Sequence, residues 1–220
     1  MIKHTIEDIT TDIDGNILAF KCDESLKQCG AKLNYTKEQI EEYVNCSKDW
    51  LYFIEKYHHI LSLDEGITKI NLRDYQKELI KNFIEHRFNI VLAARQCGKT
   101  ESYVGFVLWY ILFNKAKSVS ILANKLKTTK GILRKIKQSY SLLPKFLQQG
   151  IKTWNTTEIV LENDCCVYAC ATTSSSIRSG SSNIVIIDEC IAGDSIITVR
   201  NKKTGLIENI KIKDFYNLHK

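Results

Sequence analysis

Apolar and polar positions divide the chain into helices and strands before any chemistry is considered. Over 37–60, Ile40, Tyr43, Val44, Trp50, Phe53, Ile54 and Tyr57 recur at helical spacing, which predicts two short helices. Residues 71–87 predict another helix, with Leu72, Tyr75, Leu79, Ile80 and Phe83 on one side. The short continuous apolar run at 88–93 predicts a buried strand. A loop follows it, and then a helix from about Lys99 to Phe113. Ser118–Ala123 predicts a second strand, and 125–143 a second helix, stopped by Pro144, the only proline. Glu158–Leu161 and 166–170 flank Asn163 and Asp164 and predict a hairpin. The polar composition of 172–182 predicts a loop, and the unbroken apolar stretch 184–187 fits a strand in a sheet covered on both faces. Strands alternating with helices predict a parallel α/β sheet. Past Cys190, two short β patterns at 196–199 and 206–212 flank the turn-like Lys203, Thr204 and Gly205, whereas the first 35 residues carry little pattern.

Composition narrows this picture. The length of 220 residues, with 44% hydrophobic and 25% charged residues, fits a soluble globular domain with room for a small appendage. The longest apolar run, 104–113, is half a membrane span at best and predicts a buried helix. The segment 1–8 carries acids and no apolar core, so it is not a signal peptide. The formal net charge of +6 is shared evenly between 1–189 and 190–220, a weak pointer to nucleic acid. Eight cysteines without a secretory signal suggest a reducing compartment. Cys22 and Cys29 have no second pair at zinc-like spacing, so the cysteines are expected to be buried apolar side chains.

The chemistry concentrates at two places. The string AARQCGKT at 93–100 lies between a predicted strand and a predicted helix, the setting a phosphate loop needs. Gly98 lets backbone approach phosphate, and loop N–H groups with the helix N-terminus supply fixed positive dipoles. Lys99 can reach the β- and γ-phosphates, and Thr100 offers a hydroxyl to magnesium. Ala93 stands where the usual loop has its first glycine. Asp188 and Glu189 end the later apolar strand: Asp188 is the candidate magnesium ligand, Glu189 the candidate for orienting or deprotonating the attacking water. Gln76, beside Tyr75, can pair with an adenine edge.

Four strings in order, LRDYQ (72–76), RQCGKT (95–100), LPKFLQQGI (143–151) and IVIIDE (184–189), resemble the large terminase subunit of tailed phages, over roughly residues 36–189. The resemblance implies a P-loop NTPase parallel sheet flanked by helices, binding ATP and Mg2+ and driving DNA packaging. It implies Gln76 as the adenine-sensing residue, Gln96, Gly98, Lys99 and Thr100 as phosphate and metal contacts, and Glu189 as catalytic carboxylate. Arg95 is a candidate for transition-state or nucleotide sensing. Arg178 matches an arginine that some family members offer to a neighbouring subunit, and a plain loop arginine is the alternative. Implied partners are double-stranded DNA, a portal, a small terminase subunit and further copies of the chain, in the host cytoplasm. The family's acidic nuclease cluster is absent from the 220 residues, so no nuclease activity is expected of them.

Directly after Glu189, CIAGDS (190–195) resembles the first block of an intein, and ENIKIKDFYNL (208–218) the strand–helix segment that follows it. Cys190 would attack the preceding carbonyl and turn the amide into a thioester. The expected organisation is therefore an N-terminal helical or lid region (1–70), an ATPase core incomplete on its C-terminal side (71–189) and a short β-rich intein N-fragment (190–220). A complementary intein C-fragment carrying the rest of the motor would complete it by trans-splicing. The alternatives are a truncated reading of a contiguous intein-containing gene, a helicase-like nucleic-acid ATPase without splicing, and a nucleotide-binding remnant without activity.

Overall fold

A computed structural model describes residues 11–62, 64–94, 96–171, 181–188, 194–200 and 204–218. Its elements run β1 (Ala19–Phe20), β2 (Asp23–Lys27), α1 (Lys37–Lys48), α2 (Trp50–Tyr57), β3 (His59–Ser62), β4 (Gly66–Lys69), α3 (Asp74–Glu85), α4 (Lys99–Phe113), β5 (Ser118–Ala123), α5 (Leu126–Ser141), β6 (Ile151–Trp154), β7 (Glu158–Leu161), β8 (Cys166–Ala171), β9 (Ile184–Asp188), β10 (Ile196–Arg200), β11 (Ile207–Lys211) and α6 (Ile212–Leu218).

The two short helices predicted over 37–60 form, and local chemistry separates them. Thr36 caps α1 in a reciprocal box with Gln39. Asp49 caps α2 by accepting from Leu51 and Tyr52 N–H. The apolar run at 104–113 lies in α4, which buries Ser102 to Leu108 together with Ile111 and Leu112. A helix apolar on all sides belongs at the centre of the molecule. Helices α2, α3 and α5 pack around it, and α5 in turn packs on β5 and β8.

The five-stranded sheet has the order β6-β7-β8-β5-β9. Strands β8, β5 and β9 are parallel, as the alternation of elements predicts, but β6, β7 and β8 are antiparallel, so the sheet is mixed. The β7–β8 hairpin turns where Asn163 and Asp164 predict it, with Asp164 in the left-handed region (φ 63°). In-register pairing sets Ala123 of β5 beside Asp188 at the end of β9.

Two strand expectations fail. Residues 88–93 form no strand: Phe88 is 83% and Ile90 61% exposed. A β conformation needs a partner ladder as well as apolar side chains, and none of the described segments provides one. For the same reason β9 is not covered on both faces: its one described neighbour is β5, and Val185 and Ile187 stand exposed.

The N-terminal region is joined to the rest by contacts that no local pattern announces. Gln148, buried just past Pro144, accepts from the Lys27 N–H at 2.9 Å and donates to the Ser25 and Leu143 carbonyls. Phe20, Leu26, Phe53, Ile80, Leu108 and Val167 share one hydrophobic core, so side chains from both sides of position 70 pack together. Beyond Ser195, β10 and β11 form an antiparallel hairpin continued by α6, and these elements make their main contacts with one another. No helix among the described residues is long and apolar enough to cross a membrane.

Candidate functional site

The start of α4 is built from three short pieces of sequence. Gly98 is its N-cap, with φ +87°, a left-handed conformation that glycine adopts without a steric cost. A Cβ there would come within 2.9 Å of the Gln76 side-chain nitrogen. Gln76 is 5% exposed: its Oε1 accepts from the Arg73 N–H at 3.0 Å and its Nε2 donates to the Gly98 carbonyl at 3.1 Å. Tyr75 donates its hydroxyl to the Cys97 carbonyl. The first turn of α3 thus holds the loop from beneath, and both ends of the Gln76 amide are engaged inside the protein. Gln96 is exposed, with φ 60°.

Lys99 opens α4, and its Nζ lies 3.8 Å from Oδ1 of Asp188. The other carboxylate oxygen of Asp188 accepts from the Tyr103 hydroxyl at 2.8 Å. Tyr103 is one helical turn after Lys99, so the lysine and the phenol reach the same acid from one face of α4. Burial first, then the charge of Asp188, holds the Tyr103 phenol well above the usual range, so it remains a donor. Thr100 and Asp188 both line a cavity of about 510 Å³ between α4 and α5, which Glu101, Arg134 and Lys135 also border.

At the cavity wall, Glu101 forms an ion pair with Lys135 of α5. His58 is fully buried, with Nδ1 2.8 Å from the Ser139 hydroxyl and Nε2 4.0 Å from Glu101. Burial pushes the His58 imidazole down to about 4, so near neutral pH the ring is uncharged and its approach to Glu101 is not an ion pair.

Of the residues singled out in the sequence, Gly98, Lys99, Thr100 and Asp188 come together, and Gln76 joins them through the loop backbone. Arg95, Arg178, Glu189 and Cys190 lie outside the described residues. Sequence reasoning missed Tyr103, although its one-turn spacing from Lys99 was an available signal. It also missed the Glu101–Lys135 pair, which joins two helices and has no local signature. The residues fit a magnesium nucleotide chemically: a hydroxyl and a carboxylate line one cavity, the lysine reaches that carboxylate, and a glycine in the left-handed region stands at the helix N-terminus beside them.

Fold and site together define a mixed α/β protein with a lysine, a hydroxyl and a strand-end acid gathered at the start of a buried helix. Residues 90–195 match the family described as the terminase large subunit, T4-like virus type, N-terminal. The chain is also similar to the large terminase of bacteriophage HK97 in its crystal structure, at 18% identity and a TM-score of 0.54, over 68% of this chain and 32% of that one. At that identity the likeness is one of fold, and this chain spans about a third of the solved terminase's length.

Proposed function

We propose that this chain carries the nucleotide-binding part of a viral DNA-packaging ATPase. The observation that carries the reading is the approach of Lys99, next to Gly98, to Asp188, which lines one cavity together with Thr100. In this reading Lys99 takes the β- and γ-phosphates of ATP, while Thr100 and Asp188 hold magnesium directly or through water. The metal would neutralise charge on the phosphoryl oxygens. Tyr103 fixes the orientation of the Asp188 carboxylate. Gln76 acts first on the loop, by holding the Gly98 carbonyl, and meets adenine only by way of that loop. Glu189 serves as the water-orienting carboxylate, and Arg95 and Arg178 supply positive charge to the phosphoryl oxygens. Hydrolysis would drive movement of double-stranded DNA in an oligomer of the complete motor, with a portal and a small subunit as partners.

The test is titration of the chain with a fluorescent ATP analogue and magnesium. Binding that Lys99→Ala weakens by tenfold or more is expected. Equal binding by wild type and variant would refute the nucleotide site.

A splicing reading of 190–220 is supported by the hairpin that follows Ser195 and by its continuation from strand into helix across 207–218. The family match, however, runs through Ser195, past the proposed junction. In this reading the Cys190 thiolate attacks the Glu189 carbonyl, the peptide C–N bond breaks, and a thioester and a free amine form. The acyl group then passes to a nucleophile supplied with a complementary intein C-fragment. Mass spectrometry of the chain mixed with such a fragment should detect a product joined after Glu189, absent for Cys190→Ala. A mixture in which wild type stays intact argues for a terminase segment without splicing.

A further inference from the structure

Helix α5 carries Lys127, Lys130, Arg134, Lys135 and Lys137 and no acid. Lys127, Lys130 and Arg134 recur at steps of three and four, so they share one face. None of the three forms an ion pair with a described acid. Lys135 and Lys137 are occupied instead, by Glu101 and by the Trp154 ring with the Asn155 carbonyl.

Gly131 lies among the three cations. Glycine in a helix interior weakens the helix, and a Cβ here would meet nothing within 4 Å. Intramolecular packing therefore gives no reason for a glycine at this position, while a bare backbone between cations suits a ligand that lies close to the helix. Leu126, Lys127, Lys130, Gly131 and Arg134 line a depression of about 450 Å³. Gly131 and Arg134 also border the cavity that holds Thr100 and Asp188. The cationic face and the candidate nucleotide site therefore open onto one trough.

We propose that this face of α5 is a docking site for the phosphate backbone of duplex DNA, next to the nucleotide cavity. At about 1.5 Å per residue, Lys127 to Arg134 spans roughly 10 Å, and a duplex strand offers a phosphate about every 3.4 Å along its axis. The stripe thus covers about three phosphate-to-phosphate steps along the axis. An unbroken row of unpaired cations suits a ligand with regularly repeated charge, and the Arg134 guanidinium suits phosphate oxygens. The site rests on reading the chain as a DNA-handling ATPase, and its failure can be separated from failure of that reading.

The experiment measures fluorescence anisotropy of a short labelled DNA duplex with the 220-residue chain over a series of salt concentrations. A fluorescent ATP analogue is titrated in parallel. Wild type should bind the duplex with a salt dependence that Lys127→Gln/Lys130→Gln lowers by about 1.8 in log–log slope, since each lost phosphate contact removes about 0.9. Gly131→Glu, with a better helix former, should weaken the duplex at least fivefold. Nucleotide binding by Lys127→Gln/Lys130→Gln, whose side chains do not line the nucleotide cavity, should stay within twofold of wild type. An unchanged slope in the double variant overturns the DNA site and leaves the nucleotide reading intact. Loss of nucleotide affinity in the double variant overturns it too, because the trough would then belong to the nucleotide alone. Displacement of the duplex by polyglutamate at equal charge concentration would also overturn it, by indicating an acidic protein as the partner.

Discussion

The side-chain amide of Gln76 donates to the Gly98 carbonyl at 3.1 Å and stands where a methyl group on Gly98 would have to go. The glycine is therefore constrained twice, by a left-handed φ and by a buried neighbour held at its other end by the Arg73 N–H. Gly98→Ala must either strain the backbone or break the Gln76 contact. A loss of about 1–3 kcal/mol in unfolding free energy is expected, together with at least tenfold weaker binding of an ATP analogue. Chemical denaturation and analogue titration check both. A variant of wild-type stability that still binds would mean that the loop rearranges freely.

Tyr103 joins Lys99 and Thr100 of α4 at the candidate site. Its phenol gives one hydrogen bond to the Asp188 carboxylate, opposite the oxygen that faces Lys99. Tyr103→Phe keeps the ring in the core and removes only the donor. Because hydrogen bonds to charged groups contribute about 1.5–3 kcal/mol, the variant should need more magnesium to reach half-maximal nucleotide binding. Its magnesium-free binding should change little. A magnesium requirement identical to wild type would mean that the acid needs no fixing.

Much of this arrangement was legible in the sequence, and the exceptions share a cause. The helical periodicity of 37–60, the apolar run within α4 and the turn at Asn163 and Asp164 all form as read, because each is specified by its own residues. The residues 88–93 look equally strand-like, yet an isolated β segment has no internal hydrogen bonds and depends on a neighbour elsewhere in the chain. The short strands β1 and β2 were missed for the opposite reason. Their own residues barely alternate, and Gln148, far along the chain, holds Ser25 and Lys27 in place. At the candidate site, the sequence singles out Lys99, Thr100 and Asp188 by residue type and setting, and the fold brings them close together. The engagement of Gln76 with the loop rather than with open solvent was not legible, since a glutamine next to a tyrosine carries no mark of burial.

Gly131 gives a direct test of stability within α5. Its position inside α5 costs helix stability, and a methyl group there would meet nothing. Gly131→Ala should therefore stabilise the fold by about 0.5–1 kcal/mol, chiefly by restricting the unfolded chain. A higher denaturant midpoint with an unchanged slope is the expected result. No change, or a loss, would mean that α5 is not a regular helix at this point.

His58 makes the fold sensitive to acid. Its ring is enclosed, its Nδ1 meets the Ser139 hydroxyl, and its Nε2 has no hydrogen-bond partner among the described residues. Burial lowers its proton affinity from the ordinary 6.5 to about 4. Between those values the unfolded chain binds a proton that the folded chain refuses, so folding stability rises with pH across this window and is lost as pH falls through it. The shift corresponds to roughly 3 kcal/mol in all, at about 1.4 kcal/mol per pH unit. Thermal unfolding followed from pH 7 to pH 4 should show a falling midpoint, with a shallower fall for His58→Gln, which keeps a polar contact to Ser139 without a titrating group. Parallel pH profiles for the two proteins would place the acid sensitivity elsewhere, among the carboxylates.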